Sequence, residues 1–273
     1  MMDARLSLTA RELKKWVRNP LQMIIMIIQP LFWIFLFGSA FNITNLVPSN
    51  LPSMKNYILN TYFMGAKNYI SFLTPGMLAI MALFTAMFSG VSLIWDRRFG
   101  YLTRLLSSPI PRDSIVFSKV FSATVKGTFQ STILLVIAIV VPGGLYLTSN
   151  FTALNLVMVY MTLIMLSFGF SGLFSLLSVR IKTIETLMAI VNLLNLPLMF
   201  TSSAMFAQNM MPDWLKDISS YNPVTWAANT MRYEMIGGIA LNSTIITNIL
   251  YLLLFDIAVL ILIFAVSRYG FSE

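Results

Sequence analysis

The 273-residue chain contains no cysteine and no histidine. Without cysteine there is no disulfide and no thiolate metal site. Without either residue, Ser-His-Asp hydrolysis, zinc hydrolysis on His or Cys ligands and haem ligation by those residues are excluded. Charge is also scarce. Only 10% of residues are Asp, Glu, Lys or Arg, against about 25% in an average soluble domain. No Gly-Lys pair occurs anywhere in the chain, so the phosphate-cradling loop G-x-x-x-x-G-K-[ST] is missing and nucleotide hydrolysis is not expected here. No long internal repeat or low-complexity linker is visible. A cleavable signal peptide is not expected either, because the first apolar run begins only at Leu21, behind a charged stretch, and is nearly long enough to span.

What is present is apolar. Hydrophobic residues make up 58% of the chain and the mean hydropathy is +0.80, more than a soluble fold of this length can hide. A spanning helix needs about 20 predominantly apolar residues. Six segments qualify: Leu21–Phe41, Tyr69–Trp95, Val120–Val141, Leu154–Leu177, Leu187–Phe206 and Ile245–Val266. The expected fold is therefore an all-α membrane protein of six transmembrane helices, one domain over residues 1–273 with no soluble domain attached.

The net charge of +8 fits basic loops on anionic lipid and does not point to nucleic acid. Six spans place both termini on one side. If that side is cytoplasmic, it holds 14 of the 18 Lys and Arg residues, among them Arg11, Lys15, Arg98 and Arg112, with Lys126 snorkelling from just inside the membrane. The other side holds Lys55, Lys67, Lys216 and Arg232. The positive-inside rule then makes both termini cytoplasmic in the cell membrane. Sequons at Asn42, Asn150 and Asn242 all fall on the predicted outside; they are glycosylation acceptors or chance matches of a short motif.

Residues 3–19 form an amphipathic helix ahead of the first span. Leu6, Ala10, Leu13, Trp16 and Val17 build one stripe, and Arg11, Lys14, Lys15 and Arg18 another. This pattern predicts an interfacial helix with its apolar face in lipid and its basic face toward head groups, ended by Pro20. It is either a topology anchor or a lever beside a cytoplasmic partner. The richest loop, 96–119, carries Gly100 at a turn, then a short helix with Leu102, Leu105 and Leu106 on one face and Arg104 beside them, stopped by Pro109 before Arg112. An apolar knob on a basic loop suits docking in a partner's groove or lying on lipid.

Phe72-Leu73-Thr74-Pro75-Gly76 and the run Asp96-Arg97-Arg98-Phe99-Gly100-Tyr101-Leu102 through Leu105-Leu106-Ser107-Ser108-Pro109-Ile110-Pro111-Arg112 resemble the ABC-2 type transporter permeases. The nearest branch exports drugs and other hydrophobic compounds. Asn222-Pro223-Val224-Thr225-Trp226, followed by Arg232, is similar to that family's last-loop motif. Phe99 departs from the pattern, standing where an acidic or small polar residue is common. The resemblance implies a homo- or heterodimer of six-span subunits with two cytoplasmic ABC ATPase subunits, which would bind the ATP and Mg; no cofactor is expected in this chain. It also implies that the helix around Gly100–Ser107 is the coupling helix, and that segments of the last external loop, 207–244, re-enter the outer leaflet.

Polar residues within spans are the candidate substrate path: Thr85 and Ser89 on span two, Asn192 and Asn195 on span five with Pro197 expected to kink it, and Asp256 near the middle of span six. A carboxylate at that depth costs roughly 3 kcal/mol on insertion scales and should face protein or water. The alternative for each is interhelical hydrogen bonding. Ser167, Ser171 and Ser175 with Gly169 and Gly172 read as close helix packing. Arg232 and Glu234 read as rim charges or as partners of adjacent groups. The functional expectation is an exporter permease for a hydrophobic or amphiphilic compound. Its rivals are a polysaccharide or lipid-linked glycan exporter and, in another class, an ion-coupled transporter using Asp256.

Overall fold

The computed structural model describes residues 2–40, 52–238 and 241–269, and these are helical with no strand among them. In chain order the helices are α1 (Met2–Val17), α2 (Pro20–Ala40), α3 (Pro52–Tyr62), α4 (Tyr69–Arg98), α5 (Tyr101–Leu106), α6 (Arg112–Val140), α7 (Ala153–Arg180), α8 (Ile184–Phe200), α9 (Asp213–Ser220), α10 (Pro223–Arg232) and α11 (Ser243–Tyr269). Four of them, α4, α6, α7 and α11, are long and apolar enough to cross a membrane; Met23–Gly38 of α2 and Ile184–Phe200 of α8 are apolar but shorter. The sequon at Asn42 lies outside the described residues.

α4 is the central helix. It packs against α7, α6, α2, α8 and α10, and 78% of its most apolar window is buried. Small residues make that possible. A Cβ on Gly90 would sit 2.5 Å from the Phe174 carbonyl oxygen of α7, so the two backbones meet where any side chain would collide. One helical step away, the Ser89 hydroxyl reaches the Ser171 carbonyl of α7 at 2.8 Å. At its N-terminus, Asn68 caps α4 by accepting from the Ser71 amide at 2.8 Å. α11 is the opposite case. Only 17% of its apolar window is buried, and Leu250, Leu254, Ile257 and Ile261 point outward, the distribution expected of a helix whose solvent is hydrocarbon.

Two helix limits differ from the apolar runs by more than three residues. α6 begins at Arg112, well before Val120, because Pro111 fixes its start and Ser114, Ile115, Val116 and Ser118 are buried there against the chain itself. α8 stops at Phe200, short of Phe206. Pro197 therefore sits in the terminal turn and does not kink a continuing helix; the Thr201 amide bonds the Pro197 carbonyl at 2.8 Å. Beyond it, α10 is capped by Asn222 accepting from the Val224 amide at 2.9 Å. It ends in a π turn, Tyr233–Gly237, closed by Gly238 at a φ of +64°.

Most buried side chains form one core around α4, α6, α7 and α8. A second, smaller core joins Leu8 of α1, Leu102 and Leu105 of α5, and Ile115, Val116 and Val120 of α6 to Leu93, Val179, Val259 and Ile263. That smaller core seats α1 and α5 at one end of the bundle.

Candidate functional site

The site lies under α1 at that end. In α1, Leu8, Glu12 and Trp16 recur every four residues, so the carboxylate shares the face that packs inward. In α4, Thr85, Ser89, Ser92 and Asp96 follow the same stripe; in α6, Lys119, Ser122, Ala123 and Lys126 do so. The three stripes meet. Lys119 Nζ donates to Glu12 Oε1 at 2.8 Å, to Ser92 Oγ at 2.9 Å and to Asp96 Oδ2, so all three of its protons are used. Ser92 Oγ in turn donates to Glu12 Oε2 at 2.9 Å. The Lys119, Glu12 and Asp96 side chains are only 3%, 4% and 5% exposed.

Arg11 closes the cluster from outside, 3.0 Å from Glu12 and 3.7 Å from Asp96, with its guanidinium 3.5 Å above the Tyr101 ring of α5. Arg5 pairs with Asp113 at 2.6 Å, and Trp16 meets Phe129 edge to face with ring centroids 5.6 Å apart. Burial works to raise the Glu12 pKa, but the Lys119 ammonium, the Lys126 charge and the Ser92 hydroxyl outweigh it and hold the carboxyl at about 2.

Part of the amphipathic pattern of α1 serves packing within the chain. Its inward stripe is Leu8, Glu12 and Trp16, set against α6, while Leu6 and Val17 are exposed. Lys14, Lys15 and Arg18 do face out, but Arg11 is spent on the ion cluster. The legible signal was Glu12, an acid four residues from both Leu8 and Trp16 on an otherwise basic helix.

Beside the cluster is a cavity of about 440 Å³ between α1, α2, α4 and α6. Thr85, Ser89 and Met26 line its interior, Phe88, Trp95 and Trp16 its walls, and Lys15, Asn19 and Phe99 its edge. Thr85 donates to Gln130 Oε1 at 2.8 Å, and Ser89 bonds the Ala86 and Ser171 carbonyls. The polar atoms of both residues thus tie helices together. Lys126 also lines the cavity and, among the described residues, makes no hydrogen bond or ion pair.

The other path residues do not converge there. Asn195 is buried between α8 and α4, its amide nitrogen 3.8 Å from Met87 Sδ; Asn192 is exposed. Asp256 packs on α7, where a Cβ at Gly169 would come 2.5 Å from its Oδ1, and that oxygen has no hydrogen-bond partner among the described residues. On α5, Leu102 and Leu105 turn into the chain's own core, so they cannot form an outward knob; Leu106 is half-buried. The exposed face instead presents Thr103, Arg104, Ser107, Pro109 and Arg112, next to a stacked Trp95–Phe99 pair in which Phe99 is 72% exposed. Gly100 introduces this helix with a φ of +70°, a left-handed turn that glycine makes without strain.

In the last loop, Arg232 and Glu234 are not rim charges. Both are fully buried. Arg232 donates to the Phe72 carbonyl at 3.0 Å and the Ala204 carbonyl at 2.8 Å, with its guanidinium 3.7 Å over the Phe72 ring. It pins the loop to the start of α4. Glu234 accepts from Asn155 at 2.6 Å.

Comparison with known proteins gives the family. Residues 5–236 match the ABC-2 type transporter family. The chain is 34% identical over 222 residues to the ycf38 transport permease of Porphyra purpurea, covering 81% of this chain and 69% of that one. It is 32% identical over 218 residues to the Cyanophora paradoxa ycf38 permease, covering 79% and 68%. The inner membrane transport permease YadH of Escherichia coli K12 is 21% identical over 234 residues, covering 85% and 82%. The chain belongs to the ABC-2 type transporter family and is a multi-pass membrane permease.

Proposed function

We propose that the chain is the membrane subunit of an ATP-driven exporter, moving a hydrophobic or amphiphilic compound outward across the cell membrane. In this reading α2 and α8 complete six spans with α4, α6, α7 and α11, both termini are cytoplasmic, a second permease subunit completes the path, and two ATPase subunits dock on the 96–119 loop. A relative whose name includes "multidrug ABC transporter permease" supports the substrate class.

The observation that carries the reading is the mounting of α5. Its leucines are locked into the same small core that holds α1, α6 and α11, while Arg104, Ser107 and Arg112 stay exposed. A load applied to the exposed face reaches the helices around the cavity through packed side chains, which is what a coupling element requires. The test is co-purification with the ABC ATPase. The Arg104→Glu, Ser107→Glu double variant reverses charge on the exposed face without touching Leu102 or Leu105. It should reach the membrane at parental level but retain less than about a tenth of the ATPase, since about 1.4 kcal/mol is tenfold in affinity. Parental ATPase recovery would refute the docking role.

A further inference from the structure

The cavity under α1 has an unbalanced charge. Two carboxylates face this region, Glu12 from α1 and Asp96 from α4. Lys119 and Arg11 bond or pair with both, so two positive charges cancel two negative ones. Among the described residues Lys15 and Lys126 are left over on the cavity lining, and α2, the remaining wall, carries no charged residue. Lys126 is half-buried, and an ammonium drawn partly out of water is stabilised where an anion joins it. The rest of the lining mixes small polar residues, Asn19, Thr85, Ser89, Ser92 and Ser122, with Met26, Val91, Ala123 and the aromatic rings of Trp16, Phe88, Trp95 and Phe99. A volume of about 440 Å³ lies in the range of small-ligand sites, roughly 300–1,000 Å³, and at the lower end of it. That suits one hydrocarbon chain better than two.

We propose that this cavity binds a single-chain anionic amphiphile, the Lys126 ammonium meeting its carboxylate or phosphate and the aromatic walls its tail. Lys15 assists at the edge. This names the substrate class of the permease and rests on that reading for its role in transport, although binding itself does not.

The probe is dibromostearate, whose bromines quench nearby tryptophans, compared with its uncharged methyl ester. Trp33, Trp214 and Trp226 are changed to Phe, leaving Trp16 and Trp95 on the cavity, in phosphatidylcholine nanodiscs. The acid should quench at a concentration at least about tenfold below that of the ester. Lys126→Gln should bring the acid down to the ester's level, and Lys126→Arg should restore the preference. Equal quenching by acid and ester, or an unchanged preference in Lys126→Gln, would overturn the proposal. So would quenching confined to brominated phosphatidylglycerol, which would make the ligand a two-chain lipid. ATPase recovery is read on the same preparations. Lost quenching with the ATPase retained rejects this site alone; retained quenching with no ATPase rejects the exporter reading alone.

Discussion

Removing Lys119 should free α1 from the bundle. In Lys119→Met the aliphatic stem is kept but the ammonium is lost, leaving Glu12 and Asp96 buried near each other with Arg11 as their remaining ion-pair partner among the described residues. Deleting one partner of a buried ion pair costs about 3–5 kcal/mol, because the remaining charge is left without compensation. Lys119 serves two carboxylates, but Arg11 relieves part of the loss, so the lower end, about 3 kcal/mol, applies. At 1.36 kcal/mol per decade, the population with α1 lifted should rise about a hundredfold. The absence of native cysteine gives a clean readout: Leu8→Cys places a single thiol at a position that is buried under α1. Its maleimide labelling rate should rise about a hundredfold when Lys119→Met is added. The triple change Glu12→Gln, Asp96→Asn, Lys119→Met removes both charges and their countercharge, and should recover most of the protection. Labelling rates within twofold of each other would refute the claim that this cluster holds α1, as would a triple variant no better protected than the single one.

The same cluster sets an acid limit. The folded Glu12 pKa of about 2 lies below its ordinary 4.5, so the stabilisation, about 3 kcal/mol, is full above pH ~4.5 and is lost as pH falls toward ~2; melting by fluorescence-detected size exclusion should show that fall, and Glu12→Gln should flatten it. Arg232→Lys should lower the melting temperature by an amount equivalent to about 2–3 kcal/mol, because an ammonium cannot span the Phe72 and Ala204 carbonyls as the guanidinium does. Gly76→Ala should cost several times more than Gly100→Ala by the same assay. A Cβ at Gly76 would lie 1.9 Å from the Ala204 carbonyl oxygen, whereas Gly100 has open space and only its φ of +70° to pay, about 1 kcal/mol.

The helices of this chain are legible because hydropathy reports solvent, and each long apolar run overlaps a helix, although 201–206 lie beyond the end of α8. Their ends were less legible. Nothing in the apolar run signals that α6 starts at Arg112, since its first turns mix charged and polar residues with Ile115 and Val116, which are buried in a core shared with Leu8 of α1 and Leu102 and Leu105 of α5. Thr85 and Ser89 were readable as a stripe, and they do line the cavity; Asn195 and Asp256 were readable only as polar residues at depth, and their neighbours are set by tertiary packing. The ion cluster was hidden for a related reason. Glu12, Asp96 and Lys119 look like ordinary charges of cytoplasmic segments, and only the crossing of α1 over α4 and α6 brings them together. A two-turn helix presents an apolar face identically to a partner or to its own core, and Leu102 and Leu105 of α5 meet the core.

The central claim is that this chain is the conduit and a separate ATPase supplies the work. It is tested most directly by efflux of a fluorescent single-chain anionic amphiphile from proteoliposomes, with and without the co-purified ATPase and MgATP. The account predicts transport only when chain, ATPase and MgATP are all present, and its loss in the Arg104→Glu, Ser107→Glu variant. Transport by the chain alone, driven by an ion gradient and indifferent to nucleotide, would contradict it.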